Sequence, residues 1–598
     1  MDRRTLLAFA LMFLVFLGYQ ALIRRDMPDT PPATTEQTEA AAVEGPADVA
    51  PAQQEPTDWQ QQSESSQPQG DVAQTPEAML QPVTPGSGPE ARVKVITPLY
   101  EIHLAGRGAR ITNWLGGEFT NTEGQPLELI PQDDQSVPYG MDAVVFNATE
   151  MELGRLAFET DAPAELTVGD GATSVVFKLR TQGDLEIRKI YTFRPDSYEI
   201  TLDLEIHTVG EQATTARAVL GTPLRARFGW LHGIASTEGG DRLEKAAFRS
   251  FAKVGDELEI KKRGDEIKKI EKVTGSYAGS VLFAGLQNKY FTVIGLSGKG
   301  LDQVQEGKVA LSGDQPRNLL TWSIEQPLQT GTAVPGALAS SRLFLFIGPQ
   351  DSEILKSYGI GLEKTMDLGW ALFRPMTEAT LWIMDQMRRF IPNYGLIIIL
   401  FSVLTKLAFY PLTRTSTQSM KRMQMLQPKI KALQEKHKDN QEKQSKEMME
   451  LYKKEKVNPA AGCLPLLLQM PVFVALYQAL AHTIALRNTP FVWWIQDLSK
   501  PDALFSFPFT LPFLGAEFNL LPILMGVTMV IQTRLTPTGQ PTGQMAMMNT
   551  MMPVIFLFMF YQMPSGLVLY WLVNNLMTIF QTWRIHQTAT PEGGTETT

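Results

Sequence analysis

The stretch IIILFSVLTKLAFYPL, Ile397–Leu412, is apolar or weakly polar apart from one lysine. A run of this composition is typical of a helix that crosses a membrane. If the span begins near Asn393, Lys406 lies about 20 Å along it, at ~1.5 Å per residue. A lysine that faces lipid near the bilayer centre costs roughly 2.5 to 3.5 kcal/mol. Two interpretations stay open: the ammonium group snorkels to the cytoplasmic headgroups, or it faces an internal aqueous cavity.

Apolar residues are concentrated in two parts of this 598-residue chain, so its average composition is misleading. One part is Leu6–Ile23, and the other follows residue 365. The chain is 44% hydrophobic and 20% charged, with a net charge of −9, and the part between the two apolar regions has the composition of a soluble domain. The single cysteine, Cys463, excludes an intrachain disulfide framework.

The N-terminal apolar run is 18 residues long, which is longer than a signal-peptide core and long enough to span a membrane. No small-x-small cleavage site follows it, because Leu22 and Ile23 are succeeded by two arginines. A cleaved signal peptide is the alternative. We predict instead that residues 1–25 form an uncleaved transmembrane anchor, and Arg3 and Arg4 favour a cytoplasmic N-terminus.

Residues 26–90 are rich in Pro, Gln, Glu, Thr, Ala and Ser, which predicts a disordered periplasmic linker. Residues 91–350 have β patterns, and the clearest is YEITLDLEI, Tyr198–Ile206, where apolar and polar residues alternate. Several such runs separated by turn residues predict a large antiparallel β-sandwich. The charge run Lys261–Val273 is interpreted as a solvated hairpin, with a polyanion-binding site as the alternative.

Residues 351–391 are predicted to form connecting and interfacial amphipathic helices, with the helical pattern of Glu363–Phe390 broken near Pro375. Membrane spans are predicted at about 392–412, 460–484, 518–535, 548–563 and 566–584 within a core at 392–585. Residues 413–458 are basic and predict a helical hairpin with its turn at His437–Lys443, and residues 586–598 a short disordered tail. Because short basic loops stay in the cytoplasm, the sandwich is placed in the periplasm.

Motifs for nucleotide hydrolysis, dinucleotide binding, covalent catalysis and zinc binding are missing from the sequence, so we predict that the chain is not an enzyme and uses no metal or cofactor. The remaining chemistry is polarity inside the spans. Ser402 and Tyr410 lie four residues on either side of Lys406 and are predicted to share its helical face. Further polar residues in the spans either bond between helices or line one wet groove: Gln469, Gln478, Gln532, Asn574 and Asn575.

Four long motifs carry a resemblance to a known family. They are FYPLT at Phe409–Thr413, ELYKKEKVNPAAGCLPLLLQMPVFVALYQAL at Glu450–Leu480, NLLPILMGVTM at Asn519–Met529 and PSGLVLYWLVNN at Pro564–Asn575. In their order and spacing, residues 392–585 resemble the YidC/Oxa-type membrane protein insertases. The preceding anchor, linker and β domain are similar to the Gram-negative form of this family.

The resemblance implies a polytopic α-helical membrane protein with six transmembrane helices, five of which form the insertase core, and a large periplasmic antiparallel β-sandwich. It implies an insertase and assembly chaperone that inserts and folds inner-membrane proteins, alone or with the Sec translocon, through a hydrophilic groove with a central cation. Lys406 stands where the family usually has arginine. By position, the resemblance places five further residues along the groove or its substrate path: Ser402, Gln469, Gln532, Tyr570 and Trp571.

The partners implied by the resemblance are nascent membrane proteins, the SecYEG translocon, SecDF and membrane lipids. The hairpin at 413–458 is expected to meet the ribosome and the signal recognition particle receptor, and no specific nucleic-acid site is expected. The tail QTATPEGGTETT is not basic, so contact with the ribosome through the tail is not expected. The implied location is the bacterial inner membrane, with several spans. Two rival functions stay open, a secondary transporter or channel and a periplasmic receptor or scaffold.

Overall fold

The computed structural model describes Pro82 and residues 90–587, with gaps at 122, 133–140, 147–149, 183, 210–223, 232, 239–243, 245–246, 263–273, 300–303, 315–318, 331–333, 335, 370–371, 438–439, 456, 458–463, 512–513 and 536–542. The predicted anchor, the charge run from residue 263 onward and residues 588–598 of the predicted tail lie outside the described residues. The predicted linker is described only at Pro82 and Glu90, and Pro82 forms an antiparallel bridge with Thr181.

Among the described residues between 92 and 349, nineteen strands build the β domain. They are β1 Arg92–Ile96, β2 Tyr100–Ala105, β3 Arg110–Thr120, β4 Pro126–Glu128, β5 Met141–Phe146, β6 Glu150–Glu152, β7 Glu165–Thr167, β8 Thr173–Arg180, β9 Leu185–Phe193, β10 Glu199–Thr208, β11 Arg225–Trp230, β12 Arg249–Val254, β13 Glu257–Lys262, β14 Gly275–Gln287, β15 Phe291–Leu296, β16 Gln305–Asp314, β17 Leu319–Pro327, β18 Gln329–Thr330 and β19 Ala337–Pro349.

The strands form two sheets that enclose one hydrophobic core. One sheet has five strands in the order β4-β3-β2-β1-β7, and the other has 14, with the path β6-β5-β11-β17-β16-β14-β15-β19-β10-β9-β8. Ring contacts join the sheets, because Trp114 on β3 packs against Phe291 on β15 with centroids 6.1 Å apart. The pairings between the described strands are antiparallel except for β1 with β7, which run parallel. The β-rich domain predicted for this region is therefore confirmed, with one parallel pair that the sequence did not indicate.

Strand β10 shows how the alternating pattern sets the core. Its four aliphatic residues from Ile200 to Ile206 are at most 1% exposed. The opposite face is less exposed than the pattern predicts, because β10 lies between β9 and β19 in the large sheet. Glu205 on that face is buried and meets His207 at 2.7 Å. The period-2 pattern therefore predicts which residues point inward, whereas neighbouring strands decide how much water reaches the others.

The segment after the β domain contains two helices, α1 Ser352–Ser357 and α2 Arg374–Arg388, with a 3-10 turn at Leu362–Thr365 between them. Asp351 caps α1 by accepting from the backbone N–H groups of Glu353 and Ile354. The sequence predicted a helix broken near Pro375. The structure instead places Pro375 in the first turn of α2, where the missing N–H is not needed.

The predicted span at 392–412 is divided into two helices. Helix α3 runs from Tyr394 to Ala408, helix α4 runs from Tyr410 to Met425, and the chain bends by 61° between them. Pro411 explains the break, since its ring clashes with the carbonyl four residues earlier and it has no N–H to donate. The prediction that Tyr410 shares a continuous helical face with Lys406 is therefore wrong.

Six more α-helices and a two-stranded hairpin follow in the part of the chain that the structure describes. They are α5 Gln427–Lys436, α6 Gln441–Lys454, α7 Leu464–His482, α8 Leu520–Leu535, α9 Gly543–Phe560 and α10 Ser565–Gln587, with β20 Ala503–Leu511 and β21 Gly515–Asn519 ahead of α8. Helices α3 and α7 to α10 form the helical core, which has its own hydrophobic cluster. Residues 586–587 of the predicted tail belong to the end of α10.

By length and apolarity, no single helix in the described part of the chain passes as a membrane span. The bent pair Tyr394–Ala408 with Tyr410–Ser416 passes when taken together, and three shorter helices are apolar: Gln469–Ala481, Leu520–Leu535 and Met551–Phe560.

In the basic region 413–458, α5 ends at Lys436 and α6 begins at Gln441. The turn was predicted at His437–Lys443, and residues 441–443 of that stretch instead belong to the first turn of α6. Lys429 meets Glu455 at 2.7 Å, which joins α5 to the end of α6. The sequence predicted two helices here, but the structure has three, because α4 ends at Met425 and α5 begins next to Pro428. Proline is favoured in the first turn of a new helix and unfavourable inside one.

The loop after α7 contacts the β domain and connects it to the helical core. Arg487 forms a buried ion pair with Glu238 and donates to the backbone carbonyls of Thr120 and Thr237. Asn488 donates to the hydroxyl of Thr120 at 2.9 Å. Since the basic hairpin precedes α7 in the chain and this loop follows it, the β domain and the hairpin adjoin opposite ends of a 19-residue helix.

Candidate functional site

Lys406 lies in the last turn of α3 and is half-buried. Its Nζ donates to the hydroxyl of Thr578 on α10 at 2.7 Å, and that hydroxyl in turn donates to the carbonyl of Asn574. No carboxylate forms an ion pair with Lys406 within the described ranges. Its positive charge is therefore held by a neutral partner, which leaves the charge uncompensated inside the helical core.

The hydroxyl of Tyr570 is the second polar centre. Tyr570 on α10 is 1% exposed, and its hydroxyl faces the side chains of Gln469, Thr405 and Asn574. These groups come from α7, α3 and α10, so three helices contribute to one polar cluster. A buried phenol needs a hydrogen-bond partner, and this cluster provides it.

A polar stripe runs along α10: Asn574 and Asn575 are adjacent, Thr578 follows them by four and three residues, and Gln581 follows Thr578 by three. Asn575 donates to Thr528 on α8 at 3.2 Å, so part of the stripe faces that helix. Gln532 lies one turn after Thr528. Among the described residues, Oε1 of Gln532 and Nε2 of Gln581 are buried and have no hydrogen-bond partner. A buried polar atom without a hydrogen bond destabilises the fold by about 1–3 kcal/mol, so a bound polar group that forms hydrogen bonds to these two atoms would be stabilised.

The residues predicted to line a groove differ in their surroundings. Ser402 is fully buried and donates to the carbonyl of Ile398 in its own helix at 2.7 Å. Trp571 is also buried, with its ring 5.2 Å from Phe473 and from Phe560. Gln469 and Gln532 are half-buried. The structure thus brings Tyr570 and Gln469 together in the polar cluster. It places Ser402 and Trp571 within the packed hydrophobic core instead.

Two polar residues near Lys406 were missing from the sequence-based site. Thr578 is the direct partner of the ammonium group, and Thr405 faces Tyr570. The spacing of Thr578, four residues after Asn574, places it on the polar stripe and was the available signal. Nothing in the sequence indicated that α10 would bring this stripe next to α3.

The described residues contain no group of three or more His, Cys, Asp or Glu side chains that could hold a metal ion. The polar cluster around Lys406 and Tyr570 consists of an amine, hydroxyls and amides. Such groups bind and orient a polar chain through hydrogen bonds and charge.

Two family models match the chain. The one described as 60Kd inner membrane protein matches residues 386–592, and the one described as YidC periplasmic domain matches residues 92–379. The chain is similar to the membrane protein insertase YidC of Pelobacter propionicus, with 34% identity over 98% of this chain and 99% of the relative. It is similarly close to that of Syntrophus aciditrophicus, with 32% identity over 98% of this chain and 100% of the relative.

Among solved structures, an active YidC insertase crystal structure with its first transmembrane domain resolved covers 85% of this chain and 96% of its own, at 18% identity and a TM-score of 0.36. The sequence relatives alone are sufficient to assign the family, because they exceed 30% identity over nearly the whole length. The chain belongs to the YidC family of membrane protein insertases, and its β domain is the periplasmic domain of that family.

Proposed function

We propose that this chain inserts proteins into the bacterial inner membrane and assists their folding, with Lys406 as the cation that receives the polar part of the incoming chain. The observation that carries the proposal is the bond from Lys406 Nζ to the hydroxyl of Thr578 at 2.7 Å, with no described carboxylate paired to it. A cation held by a neutral hydroxyl retains its attraction for an incoming carboxylate.

The polar residues of α3, α7, α8 and α10 form the wall along which the polar segment moves. Gln469 and Tyr570 lie at one polar centre, and Gln532 and Gln581 offer unpaired buried atoms. Ser402 and Trp571 support this wall from behind, since both are buried. Movement of an unsatisfied polar segment through hydrocarbon is prohibitive, and such a wall supplies the missing hydrogen bonds.

The driving force is the transfer of the client's apolar segment into lipid. A span of roughly 20 apolar residues gains about 25 cal/mol per Å² of buried apolar surface. No nucleotide is needed at this protein, and the membrane potential assists the outward movement of acidic tails.

The proposed topology has the β domain in the periplasm, the N-terminus and basic hairpin in the cytoplasm, and the helical core crossing the bilayer several times. It is supported by the position of the β domain and the hairpin beside opposite ends of α7, whose 19 residues extend for about 28 Å. The hairpin would then meet the ribosome and the signal recognition particle receptor. Cooperation with SecYEG and SecDF belongs to the same proposal.

Charge substitutions at Lys406 test the proposal. At ~10 Å and an effective dielectric constant of about 40, charge reversal changes the interaction with one carboxylate by roughly 1.7 kcal/mol, or more than tenfold. We expect Lys406→Glu to lower insertion of an acidic-tailed client into proteoliposomes by about that factor. Lys406→Arg should retain insertion, and a neutral-tailed client should be less affected by either substitution.

Lys178→Glu provides the matched control, because Lys178 lies on β8 of the β domain and pairs with Asp161 at the surface. This variant carries the same charge reversal away from the helical core and should insert both clients normally. Wild-type insertion of the acidic-tailed client by Lys406→Glu would refute the role of the cation.

A further inference from the structure

The hairpin of β20 and β21 displays an unusual aromatic surface. Phe505, Phe507 and Phe509 alternate along β20, so they share one face, and Phe518 stands opposite Phe505 on β21. The rings of Phe505 and Phe518 stack with centroids 4.9 Å apart. We call these four residues the phenylalanine face. Phe505 is 49% exposed and Phe509 57% exposed, so the face lacks a full cover of protein within the described residues.

The base of the hairpin is fixed to the helical core. Strand β21 ends at Asn519 and α8 begins at the next residue. Asn519 donates from its side chain to the carbonyl of Tyr561, just after α9, at 2.7 Å. The buried Asp502, just ahead of β20, accepts from the backbone N–H of Leu521 at 2.6 Å. These bonds hold the hairpin at the end of the core where α8 begins and α9 ends.

This end of the core is the one that faces the β domain, because the loop carrying Arg487 lies between α7 and the hairpin and bonds to Glu238. In a chain of this family, that side is the periplasmic side of the inner membrane. On α8, which begins directly after the hairpin, the apolar side chain of Val527 is 52% exposed. The phenylalanine face is therefore followed in the chain by a helix with an exposed apolar side chain.

The composition of the hairpin matches a lipid surface better than a protein partner. Between residues 503 and 519 the only charged residue is Glu517, which lies opposite Ser506 and so on the other face. Pro508 cannot donate to a sheet ladder, so it opposes addition of a strand to β20. Trp493 in the preceding loop is 80% exposed and adds an aromatic ring of the type enriched where membrane and water meet.

We propose that the phenylalanine face is a lipid-binding surface that anchors the hairpin in the headgroup and upper acyl-chain region of the periplasmic leaflet. The anchor holds the periplasmic ends of α8 and α9 at a fixed depth in the bilayer. It is independent of the role of Lys406, because it uses neither the polar wall nor the cation.

Spin-label accessibility in the full chain tests this surface. Cys463→Ser provides a cysteine-free background, and single cysteines are then introduced as Phe509→Cys, Val527→Cys and Ser174→Cys. In nanodiscs of phosphatidylethanolamine and phosphatidylglycerol, a nitroxide at 509 should collide several-fold more with oxygen, relative to a water-soluble nickel chelate, than one at 174. Position 527 on α8 is the lipid reference, and position 174 on β8 is the water reference.

Thr510→Cys keeps all four phenylalanines and places a label on the opposite face of the hairpin. Its oxygen-to-nickel ratio should be lower than at position 509. A ratio at 509 equal to that at 174, low collision with both reagents, or a higher ratio at 510 than at 509 would overturn the proposal. The first of these would mean exposure to water, the second contact with protein, and the third insertion by the other face.

Discussion

The buried ion pair between Arg487 and Glu238 gives a sharp test of how the β domain is held on the helical core. Their side chains are 2% and 3% exposed, and Arg487 also donates to the carbonyls of Thr120 and Thr237. Arg487→Met removes the guanidinium group and keeps an unbranched apolar stem. Glu238 is then left buried without its main partner, because Lys500 reaches it only at 3.6 Å.

Removal of one member of a buried ion pair costs about 3–5 kcal/mol. We expect the lower end of that range, about 3 kcal/mol, because Lys500 compensates in part. This free energy stabilises the contact between the β domain and the loop after α7. Its loss corresponds to roughly 100-fold more frequent opening of that contact. Hydrogen exchange of the full chain in detergent micelles measures this, with faster exchange of the backbone N–H of Arg487, which bonds to Ile484 at 2.9 Å.

Arg225→Met is the matched control, since Arg225 pairs with Glu325 on the surface and is 47% exposed. An exposed pair contributes about 0–1 kcal/mol, so exchange near it should change only a few-fold. Combination of Arg487→Met with Glu238→Gln should cost less than the sum of the two single changes, since both remove one interaction. The reasoning would be refuted if Arg487→Met altered exchange no more than Arg225→Met does.

Two further predictions concern α2 and α3. Burial, assisted by Glu353 and Asp351, raises the pKa of Asp385 on α2 to about 6, so the folded state retains a proton that the unfolded state releases near pH 4. Stability should therefore fall as the pH rises from about 4 to 6. Asp385→Asn should make the melting temperature depend less on pH in that range and should raise the melting temperature at pH 7.5. An unchanged dependence of the melting temperature on pH would contradict this assignment. In α3, a Cβ at Gly395 would lie 2.0 Å from the ring of Phe491, whereas one at Gly526 in α8 would find its nearest neighbour at 3.9 Å. Gly395→Ala should destabilise the chain by about 1–3 kcal/mol in thermal melting, while Gly526→Ala should be neutral or stabilising, and equal effects would refute the packing argument.

Much of the local structure was predictable because it depends on short-range periodicity. The alternation in Tyr198–Ile206 predicted β10, and the polar residues of the basic region placed the break between α5 and α6 to within a few residues. The break of the 392–412 region into two helices ahead of Pro411 was not predicted, although proline is a local signal. The hairpin that carries the phenylalanine face was also not predicted. Its alternating residues lie between two apolar helices, in a segment for which no secondary structure was predicted.

Long-range pairings could not be predicted from a single sequence. Lys406 and Thr578 are 172 positions apart, and Arg487 and Glu238 are 249 apart. Sequence separations of this size follow no helical or strand periodicity, so they give no signal that the two residues are in contact. The sequence by itself determined that Lys406 would be a cation within an apolar helix. Only the tertiary structure decided that its partner is a neutral hydroxyl, because the packing of α3 against α10 selects which polar residue reaches the ammonium group.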